Sequence, residues 1–158
     1  MTIQKSQNTK SKVINLVSIE EISEIDASAE TVFNILNDNL NYPKWSLGAE
    51  EIKQIGEGKW LTKSRIGETT VTRKEAVPNE RLIFTNEGSP FSEVGEFITP
   101  KGDGVEVMVR GTLKDDSMLE KVRKPTQEFL KSLKTYAEFL ESGGNPDDYN
   151  KNELITIQ

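Results

Sequence analysis

Between Ala49 and Leu113 the chain falls into six short runs, each closed by turn residues. AEEIKQI ends at Gly56-Glu57-Gly58, KWLTKSRI at Gly67, ETTVTRKEAV at Pro78-Asn79, RLIFTN at Gly88-Ser89-Pro90, EVGEFIT at PKGDG, and VEVMVRGTL is last. That pattern predicts an antiparallel meander rather than alternating strand and helix units, and it limits the fold to one built on a single sheet of sequential hairpins. A seventh strand precedes it, VSIEEISEID, whose set Val17, Ile19, Glu21, Ser23 and Ile25 suits a buried face with Glu21 as its one discord.

Helical signals flank the meander. Ser28 is placed to cap a short helix, with Glu30 in its first turn and Val32, Phe33, Ile35, Leu36 and Leu40 at helical spacing. Pro43 pushes Tyr42 toward an extended conformation, so a second, very short helix or turn carries Tyr42 and Trp45. After the meander, Ser117-Met118-Leu119-Glu120 has the form of a capping box. Val122, Thr126, Phe129, Leu130, Leu133, Tyr136, Ala137 and Leu140 then recur at helical spacing up to Gly143-Gly144, with Pro125 expected to kink this long helix or reset its start.

Three segments follow: a polar, disordered lead over 1–15, one domain over 16–142, and a polar tail over 143–158. The strand-like end of the tail, Leu154 to Ile157, is either disordered or an addition to a sheet edge. Within the meander, Trp60, Thr62, Ser64 and Ile66 form the less charged, inward set of their strand, as do Val105, Val107, Val109 and Leu113 of theirs. The strand at 68–77 offers Val71, Arg73 and Glu75 on one face and Thr70, Thr72, Lys74 and Ala76 on the other, and neither its inward face nor that of 91–99 is decided by alternation.

Composition narrows the chemistry. The chain has no cysteine and no histidine, which removes disulfides, thiolate zinc sites, cysteine nucleophiles and imidazole bases. Any catalysis would use carboxylates, Lys, Tyr, Ser or Thr, or water held by them. A formal charge of −6 without a basic stripe argues against nucleic acid. No apolar run is long enough to insert in a membrane and no secretion signal is evident, which reads as cytoplasmic. No phosphate loop or calcium loop is written in the chain, so neither a cofactor nor a metal is expected.

The stretch EIDASAETVFNILNDNLNYPKWS carries Ile25, Asp26, Ala27, Ser28, Glu30, Val32 and Phe33, followed by Tyr42 and Trp45, while EAVPNERLIF carries Pro78, Arg81 and Leu82. In these residues, and in element order over about 17–141, the chain resembles the SRPBCC (START-like) superfamily, including its polyketide cyclase/dehydrase-like members. Ser28 stands where that family often has proline; both suit a helix start. The resemblance implies an α+β helix-grip fold, a seven-stranded curved antiparallel sheet wrapped around the long C-terminal helix, with two short helices after the first strand and a cavity between sheet and helix.

It also implies a small or medium lipophilic ligand as the partner. Tyr42 and Trp45 would close the core or border the cavity mouth. Trp60, Thr62, Ser64, Arg73 and Phe84 would line it from the sheet, with Ser23, Thr70, Thr72 and Asn86 as further polar anchors. Met118, Val122 and Phe129 would line it from the N-terminal half of the helix. Two other functions stay open. One is cyclase or aromatase chemistry on a poly-β-ketone, with Glu21, or an Arg73–Glu75 pair, as the acid–base candidate. The other is an interaction protein, as in the related family that stimulates a chaperone ATPase.

Overall fold

A computed structural model of the chain describes residues 17–65 and 67–153. Seven strands form one antiparallel sheet: β1 Val17–Ile25, β2 Ala49–Gly56, β3 Lys59–Ser64, β4 Gly67–Val77, β5 Arg81–Glu87, β6 Phe91–Lys101 and β7 Gly104–Leu113. Their order across the sheet is β1-β7-β6-β5-β4-β3-β2, so the meander runs by hairpins and the first strand joins the free edge of the last. Helices α1 (Ala29–Asn37) and α2 (Tyr42–Trp45), linked by a 3-10 turn at Asn39–Asn41, lie between β1 and β2, and α3 (Leu119–Glu141) follows β7. The sheet curves around α3, giving the expected helix-grip α+β fold. The predicted lead over 1–15, the inward reading of Ile66 and the strand-like end at 154–157 lie outside the described residues. None of the described helices is long and apolar enough to cross a membrane.

Local chemistry explains the elements. Ser28 Oγ accepts from the Thr31 amide 3.1 Å away, capping α1, and Pro43 occupies the first turn of α2, where its missing N–H costs nothing. Helix α3 ends where Gly143 takes φ +96°. The Gly144 amide donates to the Phe139 carbonyl at 2.9 Å and the Gly143 amide to that of Leu140 at 3.0 Å, a Schellman closure that few residues other than glycine adopt.

Three local readings need correction. Tyr42 is not extended ahead of Pro43: it takes φ −53°, ψ −45° and opens α2. Leu40 does not continue the α1 stripe: Asp38 ends the helix, and Leu40 sits in the 3-10 turn with 53% of its surface exposed. Ser117 and Glu120 do not form a capping box. Asp115 accepts from the Ser117 amide at 2.8 Å and opens a 3-10 turn at Asp116–Met118, while Glu120 pairs with Arg123. Helix α3 runs unbroken through Pro125. Pro125 provides no N–H for the Lys121 carbonyl.

The two strands whose faces alternation left open each carry a bulge. Val71 and Arg73 turn inward, the register slips between Arg73 and Glu75, and Glu75 then points out to Arg81. On β6 the slip falls between Phe91 and Glu93, so Phe91 faces in, Glu93 faces out to Lys74, and Val94, Glu96 and Ile98 face in. A single parity cannot describe either strand. The largest core cluster joins Ile25, Val32, Leu36, Trp45, Leu82, Val107, Leu133 and Tyr136, and a smaller one gathers Ile19, Leu113 and Val122.

Candidate functional site

A cavity of about 370 Å³ lies between the sheet and the N-terminal half of α3. Strand alternation brings Thr62 and Ser64 of β3, Val71 of β4, Phe84 and Asn86 of β5, Val94 and Glu96 of β6 and Val109 of β7 to one wall. Helices α1 and α2 supply Ile35, Leu36, Tyr42 and Trp45, and α3 supplies Pro125, Thr126, Glu128 and Phe129. Asp38, Gly48, Arg65 and Pro125 on this wall are exposed, so the cavity reaches the surface there.

Three of its rings form a cluster. Tyr42 and Trp45 meet edge to face with centroids 5.2 Å apart, and Phe129 lies 5.5 Å from Trp45 and 6.1 Å from Tyr42. Trp45 is buried and also stacks on Tyr136 at 6.4 Å, so it is core and cavity wall at once. The α2 segment is held from behind, since Lys151 Nζ donates to the carbonyls of Ser46 and Ala49, both at 2.8 Å.

Polar groups on this wall are short of partners. Glu96 is 7% exposed and its Oε1 has no hydrogen-bond partner; the same holds for Trp45 Nε1 and Asn86 Oδ1. Burial disfavours the charged form of Glu96 and pushes its pKa up to about 8, so the group holds its proton at neutral pH. Burial also raises Tyr42, a hydrogen bond with the Ser46 side chain opposes that shift, and the nearby Glu96 adds to it. Buried polar atoms are ordinarily satisfied, so three orphans on one cavity are the feature that needs explaining.

The residues singled out in the sequence divide. Tyr42, Trp45, Thr62, Ser64, Phe84 and Phe129 share the cavity wall, as does Asn86. Trp60, Arg73, Met118 and Val122 are not on it. Trp60 faces inward as its alternation predicts, but the Arg73 guanidinium covers its ring at 4.9 Å. Arg73 Nη2 donates to the Asn37 carbonyl at 2.9 Å and to Asn39 Oδ1 at 2.8 Å, fixing the turn beside the cavity; burial lowers its pKa. Val122 belongs to the smaller core cluster near the start of α3, and Met118, in the turn before it, packs against that cluster. Ser23 lines a separate groove with Glu21 and Gln127. Glu21 accepts from Arg123 Nη1 at 3.1 Å and Gln127 Nε2 at 3.2 Å, and is not on the cavity wall. Arg73 and Glu75 do not pair, because the bulge sends them to opposite faces.

Glu96 was not visible as a candidate. Its signal is the alternation Val94-Glu96-Ile98, which becomes legible once the bulge before Glu93 is known. Among the described residues no group of three or more acidic side chains is placed to hold a metal ion.

A curved seven-stranded antiparallel sheet gripping a C-terminal helix, with a cavity between them, defines a START-like helix-grip fold. The chain belongs to the family described as activator of Hsp90 ATPase homolog 1-like protein, whose profile matches residues 26–138. Among solved structures it is similar to a START superfamily protein from Mycobacterium smegmatis, with 20% identity and a TM-score of 0.65 over 78% of this chain and 98% of that one. It is also similar to the Zhui aromatase/cyclase from Streptomyces sp. R1128, with 14% identity and a TM-score of 0.63 over 82% and 99%. The di-domain aromatase/cyclase StfQ of the steffimycin biosynthetic pathway matches with 12% identity and a TM-score of 0.62, over 78% of this chain and 51% of that one. At these identities the likeness is one of fold. No curated protein matches the chain in sequence.

Proposed function

We propose that the domain binds a small or medium lipophilic molecule in the cavity between sheet and α3. The observation that carries this is the combination on one wall of an aromatic cluster, aliphatic side chains and three buried polar atoms without partners. An apolar ligand gains roughly 25 cal/mol per Å² buried, and a few polar groups set its orientation. The test is titration with a neutral fluorescent probe, N-phenylnaphthylamine, on the native chain and on Val94→Phe, which fills the cavity from β6. Saturable binding at one site that is lost in Val94→Phe, with its melting temperature retained, is the expected outcome. No saturable binding, or binding indifferent to the substitution, refutes the reading.

A second reading has its own support. Glu96, with a pKa near 8, is an acid that can also serve as a base close to neutral pH, and Tyr42 lies near it. Cyclase or aromatase chemistry on a poly-β-ketone would use Glu96 in this role. Turnover abolished in Glu96→Gln with ligand binding retained would support it, and unchanged turnover would remove Glu96 from the mechanism. Interaction with a chaperone ATPase, suggested by the family's description, has less behind it: the interior is open, and among the described residues the large exposed apolar side chains, Ile22, Leu40 and Ile55, sit on three separate elements.

A further inference from the structure

The cavity is chemically one-sided. Among the described residues its titratable wall groups are Asp38, Tyr42, Arg65, Glu96 and Glu128, of which three are carboxylic acids and the one base, Arg65, is exposed. Glu96 is the deepest of them, and among the described residues it has no ion-pair partner; its Oε1 has no hydrogen-bond partner either. The rings of Tyr42, Trp45 and Phe129, with centroids 5.2 to 6.1 Å apart, share its cavity, and Tyr42 is near enough for the Glu96 charge to raise its pKa. A buried carboxyl without a cation, next to a cluster of π faces, is the arrangement that recognises an organic cation.

We propose that this cavity selects lipophilic amines and ammonium ions, with the charged nitrogen against Glu96 and the Tyr42–Trp45–Phe129 cluster. This rests on the lipophilic-ligand reading above and gives it a ligand class. A lipophilic carboxylate would bring a second acid to Glu96 with no buried base among the described wall residues to receive either, and a neutral molecule would gain hydrogen bonds from it but no charge pairing. The cation supplies the partner that the fold withholds.

The proton balance makes the inference testable. In the empty cavity Glu96 is protonated below about pH 8, and it must be ionised to pair with the cation. Well below pH 8 each ammonium ion bound therefore displaces one proton to the buffer, and at pH 8 about half of one. Only the ionised fraction of the protein is competent, so apparent affinity rises about tenfold per pH unit up to about 8 and then levels.

Three probes of one shape separate the outcomes: naphthylmethyltrimethylammonium, naphthylmethanol and naphthylacetate, titrated calorimetrically into the native chain from about pH 6 to pH 9. Two buffers of different ionisation enthalpy report the protons released. The cation is expected to bind tightest above about pH 8, to weaken about tenfold per unit below it and, near pH 6, to release close to one proton, while naphthylmethanol shows no such dependence. Glu96→Gln is expected to lose the cation preference and keep naphthylmethanol. Equal or tighter binding of naphthylmethanol or naphthylacetate at pH 8 overturns the proposal and leaves the lipophilic cavity standing, as does a cation preference that survives in Glu96→Gln. If none of the three binds, the cavity reading itself falls. Should Glu96→Gln fail to fold, the pH profile and proton count of the native chain decide alone.

Discussion

Glu21 and Glu96 stand in one row across the sheet, each opposite Val109, one on β1 and the other on β6. Both point toward α3, about 10 Å apart by strand spacing. On the β1 side the helix presents Arg123 and Gln127, one turn apart, and both donate to Glu21. On the β6 side it presents Thr126 and Phe129, and among the described residues Glu96 is left without a cation. The same residue at the same level of the sheet is thus a structural tie in one place and the centre of a cavity in the other. What separates them is the face of α3 that each meets.

The largest effect expected from disturbing the cavity side is Trp45→Ala. The ring is buried against Tyr42, Phe129 and Tyr136, and its removal should cost about 3–5 kcal/mol in denaturant unfolding. A loss below about 1 kcal/mol would mean that Trp45 gates the cavity without supporting the core.

Next in size is the carboxyl itself. Glu96→Leu removes a buried polar group that lacks a partner, and near pH 8 it should gain about 1–3 kcal/mol of stability. The native protein should also show a pH signature. The folded pKa of Glu96 is raised from 4.5 to about 8, so between those values the folded state holds a proton that the unfolded chain has released. Stability from this group is complete below about pH 4.5 and is lost as pH rises to about 8, at most about 1.4 kcal/mol per unit. Thermal melts across that range should show the decline in the native chain and a flatter profile in Glu96→Gln. An equal decline in both would break the contrast.

The smallest effect belongs to the other glutamate. Glu21→Gln trades an ion pair whose Arg123 side chain is 40% exposed for hydrogen bonds to an uncharged amide, and its melting temperature and pH profile should stay close to native. A Glu21 variant that flattened the pH profile would reverse the assignment of the two residues.

The sequence carries most of the architecture, because hairpin turns and helical spacing are local signals. Gly67, Pro78-Asn79 and Gly88-Ser89-Pro90 lie at or beside the strand ends, and the stripe from Val122 to Leu140 marks the gripped face of α3. The site was legible from the same signals where alternation holds, as for Thr62, Ser64 and Phe84, and at the aromatic pair Tyr42 and Trp45. It was not legible where a bulge resets parity. Ser92 and Lys74 each add a residue to their strand, which hid Glu96 and made Arg73 and Glu75 look like partners. Nor does spacing along one strand say which face of a distant helix will cover it, so Glu21 stood out by its apolar neighbours although Arg123 satisfies it.

The chain has two tryptophans, and they give the most direct test of where a ligand binds. Trp45 lines the cavity with its Nε1 unpartnered, whereas Trp60 lies off the wall beneath Arg73. In a nitrogen–proton correlation spectrum each gives one indole resonance, and titration with naphthylmethanol follows both at once. The account predicts a saturable shift of the Trp45 resonance with Trp60 nearly still. Saturable binding that moves Trp60, or that leaves Trp45 in place, would contradict it.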